Sequence, residues 1–172
     1  CILQNLCELV SHRKVLLLNA SPEAVAISGD KYRCYQHLRQ HNIPTVNTYC
    51  VDELPSSPVI GSTREWVIKP RDGAGCERTY VFDCWSDVVK KLDTEHILQP
   101  HIQGIKSSLS CLFGYGQAWV ICANEQHFEI KDNAYCMQGI TINSRPVSAA
   151  DCQLAMQLAS AIPGLWGYIG ID

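Results

Sequence analysis

Features that would mark a membrane, secreted or nucleic-acid-binding protein are absent from this 172-residue sequence. No apolar run approaches the roughly 18 residues that a membrane-spanning helix needs. The first ten residues, CILQNLCELV, have neither the basic head nor the cleavage site of a signal peptide. Lys and Arg number 14 against 17 Asp and Glu, so a polyanionic partner is not favoured. We therefore expect a cytoplasmic protein that binds small molecules, without nucleic-acid or membrane partners.

The ten cysteines contain no C-x-x-C pair, which argues against zinc. Most lie in apolar segments such as LSCLF and WVICA, so we expect reduced thiols that pack as small hydrophobic groups. Among the six histidines, His37 and His41 lie one turn apart but lack a third ligand, which favours a solvated helix face over a metal site. Because the sequence begins at Cys1 rather than methionine, we expect a fragment, a processed product or a trimmed chain.

The hydropathy pattern predicts an α+β protein long enough to bury a core. Caps and apolar spacing predict helices, with Ser21, Asp30 and Ser148 as N-caps. The helices are expected within 1–10, 21–28, 29–45, 86–92 and 148–164. Strands are expected at 14–21, 46–51, 65–69, 79–82, 96–100 and 165–172. Residues 107–142 predict an antiparallel meander of three or four strands, and 52–63 a surface loop.

The stretch EWVIKPRDGAGCE, residues 65–77, closes an apolar strand with a lysine and continues into a glycine loop. Because side chains alternate along a strand, Val67 and Lys69 share a face, where Lys69 could reach a polyanion above Val67. A glycine-rich loop offers backbone N–H groups to phosphate oxygens. By itself the stretch favours a solvated strand-end lysine and a hairpin turn over a phosphate site, and it matches neither G-x-x-x-x-G-K-[ST] nor G-x-G-x-x-G. The candidate loop residues are Asp72, Gly73, Ala74 and Gly75.

Four segments occur in an order that resembles the ATP-grasp superfamily of carboxylate ligases: GDKYRCYQHLRQHNIPT, WVIKPRDGAGCE, HILQPHIQGIKSSLS and GLWGYIGID. The resemblance covers about Gly29 to Asp172 and is greatest to the small ligases related to tyramine–glutamate ligase. It implies an ATP-grasp fold of two α+β lobes, the smaller with the glycine loop and the larger with an antiparallel sheet, truncated at the C-terminus. The implied segments are the end of a preceding α/β region (1–28), a linker helix and strand (29–61), the small lobe (62–102) and an incomplete large lobe (103–172).

The resemblance also implies nucleotide contacts. Lys31 and Lys69 would bind the α and β phosphates, as compact cationic donors can. In the hinge segment, the carbonyl of Pro100 would accept from adenine and the N–H of Ile102 would donate to it, although Pro100 could simply end an edge strand. Family members often have a ribose-binding acid where this sequence has Lys106, which leaves Lys106 either near the nucleotide or facing solvent. The hinge candidates are Gln99, Pro100, His101 and Ile102.

At the other end of the chain, the resemblance makes Asp172 a magnesium ligand, whereas an isolated terminal aspartate would be a solvated charge. A following strand with a second carboxylate, usually as E-x-N, is expected in the parent protein. Two functions stay open: an ATP- and Mg²⁺-dependent ligase that joins a carboxylate to an amine through an acyl phosphate, and a non-catalytic or partner-completed ATP-binding module. No catalytic side chain is assigned, and a homodimer is left open.

Overall fold

The computed structural model describes residues 2–13, 15–17, 19–55 and 64–172. Within them the chain forms five α-helices and seven β-strands. The helices are α1 (Ile2–His12), α2 (Pro22–Ser28), α3 (Lys31–Gln40), α4 (Trp85–Lys91) and α5 (Ala149–Ala161). The strands are β1 (Trp66–Pro70), β2 (Tyr80–Phe82), β3 (His96–Pro100), β4 (Ser107–Gly114), β5 (Gln117–Lys131), β6 (Ala134–Arg145) and β7 (Gly167–Ile171). No helix in these ranges is long and apolar enough to cross a bilayer.

The predicted caps start three of the helices. Ser21 accepts a hydrogen bond from a backbone N–H of α2, and Pro22 occupies the first helical position, where its missing N–H costs nothing. Asp30 accepts from two backbone N–H groups in the first turn of α3. Ser148 and Asp151 form a reciprocal capping box at α5. These local contacts satisfy N–H groups that have no partner inside the helix.

All seven strands belong to one antiparallel sheet in the order β3-β1-β2-β6-β5-β4-β7. The first three and the last four strands in this order are joined by a single residue pair, Tyr80 with Ala134. The β5–β6 hairpin is therefore the element that connects β1–β3 to the rest of the sheet.

In the part of the chain that the structure describes, two separate hydrophobic cores lie against this sheet. The larger one packs α2 and α5 against β4 and β5, with Cys111 and Phe113 among its buried side chains. The smaller one packs α4 against β1 and β3, around Trp66, Ile68 and Leu98. Separate cores beneath the two ends of one sheet agree with the predicted α+β architecture of two lobes.

The predicted strand at 14–21 is wrong where the structure describes it. Residues 15–17 are irregular, and Val15 and Leu16 are exposed. A strand needs a neighbour to hydrogen-bond with, and none of the described strands lies beside this segment.

The segment 46–51 was also predicted to be extended, but it forms only an isolated bridge between Tyr49 and Leu98 before a 3-10 turn at Val51–Glu53. The meander has three strands, and β6 continues beyond the predicted end at residue 142. Part of the predicted loop, 56–63, lies outside the described residues.

Candidate functional site

The first side of the candidate site is one face of β1. Trp66 and Ile68 point into the smaller core, so Val67 and Lys69 lie on the opposite face, as the strand alternation predicts. Val67 is buried there and Lys69 is partly buried. No described residue hydrogen-bonds with the Lys69 ammonium, so this cation is available to an anion.

Lys31, Lys69 and Asp172 are far apart in sequence, and folding brings them within electrostatic range of one another. Burial lowers the pKa of Lys69 most, repulsion from Lys31 lowers it further, and Cys76 and Asp172 act in the opposite direction. Burial is also the main cause of the lowered pKa of Lys31, opposed by the charge of Asp72. Two partly desolvated cations with a carboxylate nearby form a local field suited to a polyphosphate and a divalent cation.

The glycine loop follows β1 without regular structure until β2 begins. Gly73 (φ 87°) and Gly75 (φ 72°) adopt the left-handed conformation, and a Cβ added to either would meet nothing within 4 Å. The glycines are therefore required by backbone conformation and not by lack of space. Because residues 72–75 are exposed, the tip of the loop is accessible to a ligand.

The base of the loop is held by the start of α3. The Lys31 ammonium donates to the carbonyls of Asp72 (3.1 Å) and Gly73 (3.0 Å), and the Lys31 backbone N–H donates to the carbonyl of Arg71 (2.8 Å). The Arg71 guanidinium donates twice to Asp30 Oδ2, at 2.8 and 3.1 Å. Lys31 thus lies at the glycine loop and contacts it directly, and its contact with a phosphate stays a prediction.

The hinge segment has backbone groups that face the free edge of the sheet. The His101 N–H donates to the Glu65 carbonyl (2.9 Å), which makes the adjacent pair, Trp66 with Pro100, a non-hydrogen-bonded one. The Pro100 carbonyl therefore points away from β1, and β3 is the terminal strand on that side. Ile102 follows at the surface, 54% exposed.

Side chains of the hinge candidates are used within the protein. Gln99 Nε2 donates to Thr48 Oγ1 (2.7 Å). The buried His101 imidazole lies 2.7 Å from Glu65 Oε2 and 2.7 Å from the Tyr135 hydroxyl. Any contact of His101 with a nucleotide would therefore involve backbone atoms, whereas the amide oxygen of Gln99 has no partner among the described residues.

Lys106, at the position where the resemblance expects an acid, does not extend into solvent. Its ammonium donates to the Ile102 carbonyl (2.6 Å). Lys106 consequently restrains the peptide group after Ile102, and its predicted position near the nucleotide stays a prediction.

Asp172 accepts a hydrogen bond at Oδ1 from Gln126 Nε2 (2.7 Å), and no described residue bonds to its second oxygen. Carboxylate oxygen is a suitable donor for Mg²⁺, which in phosphoryl-transfer sites is commonly held by one or two carboxylates together with substrate phosphates. Within the described ranges, no group of three His, Cys, Asp or Glu side chains could hold a metal without such a ligand. Asp172 therefore fits a role as one protein ligand of a phosphate-bound magnesium ion.

Two minor predictions need correction. His37 is not on a solvated face, because its Nε2 lies 2.6 Å from the Ala161 carbonyl. The nine described cysteines are free thiols, as expected, but only Cys7 and Cys111 are buried, while Cys84 and Cys152 are exposed.

Sequence reasoning missed Arg71, Gln126 and Tyr135 as parts of this region. Arg71 directly follows β1 and could have been paired with the Asp30 cap by charge. Gln126 and Tyr135 have no local signal, because their positions depend on the register of the β5–β6 hairpin.

Comparison with known proteins identifies the family to which this chain belongs. The family model of the ATP-grasp domain matches residues 28–172. Tyramine–L-glutamate ligase of Methanocaldococcus fervens is 23% identical over 171 residues, covering 99% of this chain and 49% of that protein. The chain thus spans about half the length of the curated relative it matches.

Solved structures agree in fold. An ATP-grasp superfamily protein from Archaeoglobus fulgidus superposes with a TM-score of 0.68 at 23% identity, covering 99% of this chain and 48% of that one. The D-alanine–D-alanine ligase from Coxiella burnetii gives a TM-score of 0.71 at 16% identity, covering 97% of this chain and 49% of that one. At these identities the similarity establishes the fold alone, and it confirms the predicted fold class.

Proposed function

Since the chain belongs to the ATP-grasp family, we propose that it binds ATP and forms part of a ligase that joins a carboxylate to an amine. The observation that carries this proposal is the Lys69 ammonium, which is partly buried, lacks a hydrogen-bond partner among the described residues and lies within range of Lys31 and Asp172. A cation in that state is stabilised by an anionic ligand.

Different residues would bind the phosphates, the adenine and the magnesium ion. Lys31 and Lys69 would donate to the α and β phosphates, and the glycine loop would close over them with its backbone N–H groups. The Pro100 carbonyl and the Ile102 N–H would orient the adenine. Asp172 would hold Mg²⁺, which when bound supplies charge neutralisation on the triphosphate.

In the proposed reaction, a carboxylate oxygen of the acid substrate bonds to the γ-phosphorus while the bond to the ADP oxygen breaks, which gives an acyl phosphate. The amine nitrogen then bonds to the acyl carbon, inorganic phosphate leaves and the nitrogen loses a proton. No described side chain needs to form a covalent bond, because positioning and charge neutralisation supply the catalysis. The relation to tyramine–L-glutamate ligase suggests an amino-acid carboxylate and an amine as substrate classes.

The second candidate is an ATP-binding module without turnover. One observation favours it: among the described residues, no group of three His, Cys, Asp or Glu side chains could hold a metal ion by itself. Magnesium held by one protein carboxylate leaves the charge of the triphosphate less compensated than two would.

Calorimetry and phosphate release together separate these functions. We expect the 172-residue chain to bind ATP weakly and to release no phosphate, even with glutamate and amines such as tyramine. A parent protein of about the length of the relatives should release phosphate in a magnesium-dependent, amine-stimulated way. Turnover by the chain itself would contradict our placement of the metal site, and an intact parent that is inactive across many acid and amine pairs would favour the binding module.

A further inference from the structure

A chain of three side chains runs behind the hinge and is not used by the proposed reaction. Glu65 precedes β1, His101 follows β3, and Tyr135 lies near the tip of the β5–β6 hairpin. His101 contacts both of the others, each at 2.7 Å, and its side chain is only 7% exposed. A buried imidazole with both nitrogens engaged is held in one orientation.

The chemistry of the partners sets the direction of each hydrogen bond. An ionised Glu65 can only accept, so His101 Nδ1 carries the proton and donates to Oε2. In the neutral ring Nε2 then accepts from the Tyr135 hydroxyl. Gln103 Nε2 also donates to the same Glu65 oxygen (3.0 Å), which further orients the carboxylate.

The same residues also restrain the hinge backbone. The His101 N–H is bonded to Glu65, and the carbonyl of the next residue, Ile102, accepts from Lys106. The first bond restrains the peptide group that contains the Pro100 carbonyl, and the second restrains the peptide group after Ile102. The peptide group that contains the Ile102 N–H lies between these two restrained groups.

Tyr135 extends this restraint to the hairpin. Its backbone N–H donates to the Thr79 carbonyl (2.9 Å), and its neighbour Ala134 forms the pair with Tyr80 that joins the two parts of the sheet. The Tyr135 ring also packs edge-on against Phe128, with centroids 5.6 Å apart. The tyrosine is thus fixed from two sides and can serve as an anchor for the imidazole.

We propose that the Glu65–His101–Tyr135 chain positions the hinge so that its backbone reads the base of the bound nucleotide. His101 would be a positioning residue, acting through peptide groups and touching no substrate. This inference rests on the proposed ATP binding, and it adds a specific requirement: a hydroxyl on β6 contributes to recognition of the base but not of the phosphates.

The test compares ATP with tripolyphosphate, which carries the phosphate chain without the adenosine. Binding of each to the 172-residue chain is measured by calorimetry for wild type, Tyr135→Phe and His101→Asn. Tyr135→Phe keeps the ring and its packing on Phe128, while His101→Asn retains a short donor for Glu65. The matched control is Tyr115→Phe, an exposed tyrosine between β4 and β5.

We expect each variant to bind ATP about five- to tenfold more weakly, which is the size of one hydrogen bond, with tripolyphosphate affinity unchanged. The double variant Tyr135→Phe/His101→Asn should lose no more ATP affinity than either single variant, since both substitutions remove the same contact. ATP affinity equal to wild type in Tyr135→Phe, or an equal loss for both ligands, would overturn the positioning role alone. A wild-type chain that binds neither ligand would overturn the nucleotide site, and the positioning role with it.

Discussion

Asp30 and Arg71 lie 41 residues apart, and the Asp30 carboxylate joins the N-terminus of α3 to the loop after β1. One carboxylate oxygen caps the helix, and the other accepts two hydrogen bonds from the Arg71 guanidinium. Backbone hydrogen bonds and Arg71 lower the pKa of Asp30 against the opposing effect of burial. The position of Lys31, one residue along, is therefore tied to the base of the glycine loop.

Replacing Lys69 tests the phosphate site directly. We expect Lys69→Ala to weaken ATP binding by about 1.5–3 kcal/mol, the usual contribution of a hydrogen bond to a charged group. Calorimetry measures the loss, and Lys90→Ala is the control, because Lys90 is an exposed lysine on α4 that pairs with Asp87. A folded Lys69→Ala protein with wild-type affinity would rule out the β1 strand and loop as the phosphate site.

The glycine loop should change its mobility when nucleotide binds. Without ATP, we expect fast amide hydrogen exchange at residues 71–77, because Gly73 and Gly75 permit alternative conformations and the tip is exposed. ATP with magnesium should slow exchange there, while α5 amides serve as an internal reference. In Arg71→Ala the protection should require more ATP, since the anchor to Asp30 is lost. Identical exchange with and without saturating ATP would contradict a phosphate lid.

The role of Asp172 predicts a magnesium effect. Asp172→Asn preserves the size of the side chain and an acceptor for Gln126, but it removes the charge that would hold the ion. We expect magnesium to increase the ATP affinity of the wild-type protein about tenfold, which is the size of one charge-assisted contact. In Asp172→Asn the increase should be far smaller. Titrations with and without magnesium measure this difference. A variant that keeps the full magnesium effect would exclude Asp172 as a ligand.

The capping box of α5 predicts a pH-dependent stability. Hydrogen bonds from the Arg145 side chain and the Ser148 backbone hold the pKa of Asp151 below its ordinary value of 3.8. A lowered folded-state pKa stabilises the fold above pH 3.8, and this contribution is lost as the pH falls through the folded-state value. Asp151→Ala should therefore destabilise the protein by about 1 kcal/mol at pH 7 and by less in acid.

Urea denaturation of wild type and Asp151→Ala at several pH values from 7 to 3 checks this expectation. Asp87→Ala is the control, because Asp87 forms an exposed pair with Lys90 that should contribute little. A difference between Asp151→Ala and wild type that does not shrink toward pH 3 would show that the carboxylate charge of Asp151 is not the stabilising feature.

Elements with a complete local signal were predictable. The caps of α2, α3 and α5 use side chains next to the N–H groups they satisfy, and the alternation in β1 follows from strand geometry. The segment at 14–21 has equally strong apolar character, yet its described part forms no strand. A strand is completed by a neighbour, and the sequence of the segment itself does not supply one.

By itself, the sequence determined the order of the motifs, the lysine and glycines of the candidate phosphate site, and the family they resemble, since each depends on residues close together in the chain. Only the tertiary structure decided that Lys106 turns back to the hinge, that Gln126 meets Asp172 and that Tyr135 supports His101. The last two contacts depend on the register of the β5–β6 hairpin, and that register is interrupted by two shifts. Because a one-residue slip moves a side chain to the opposite face, no local pattern could have placed Gln126 or Tyr135.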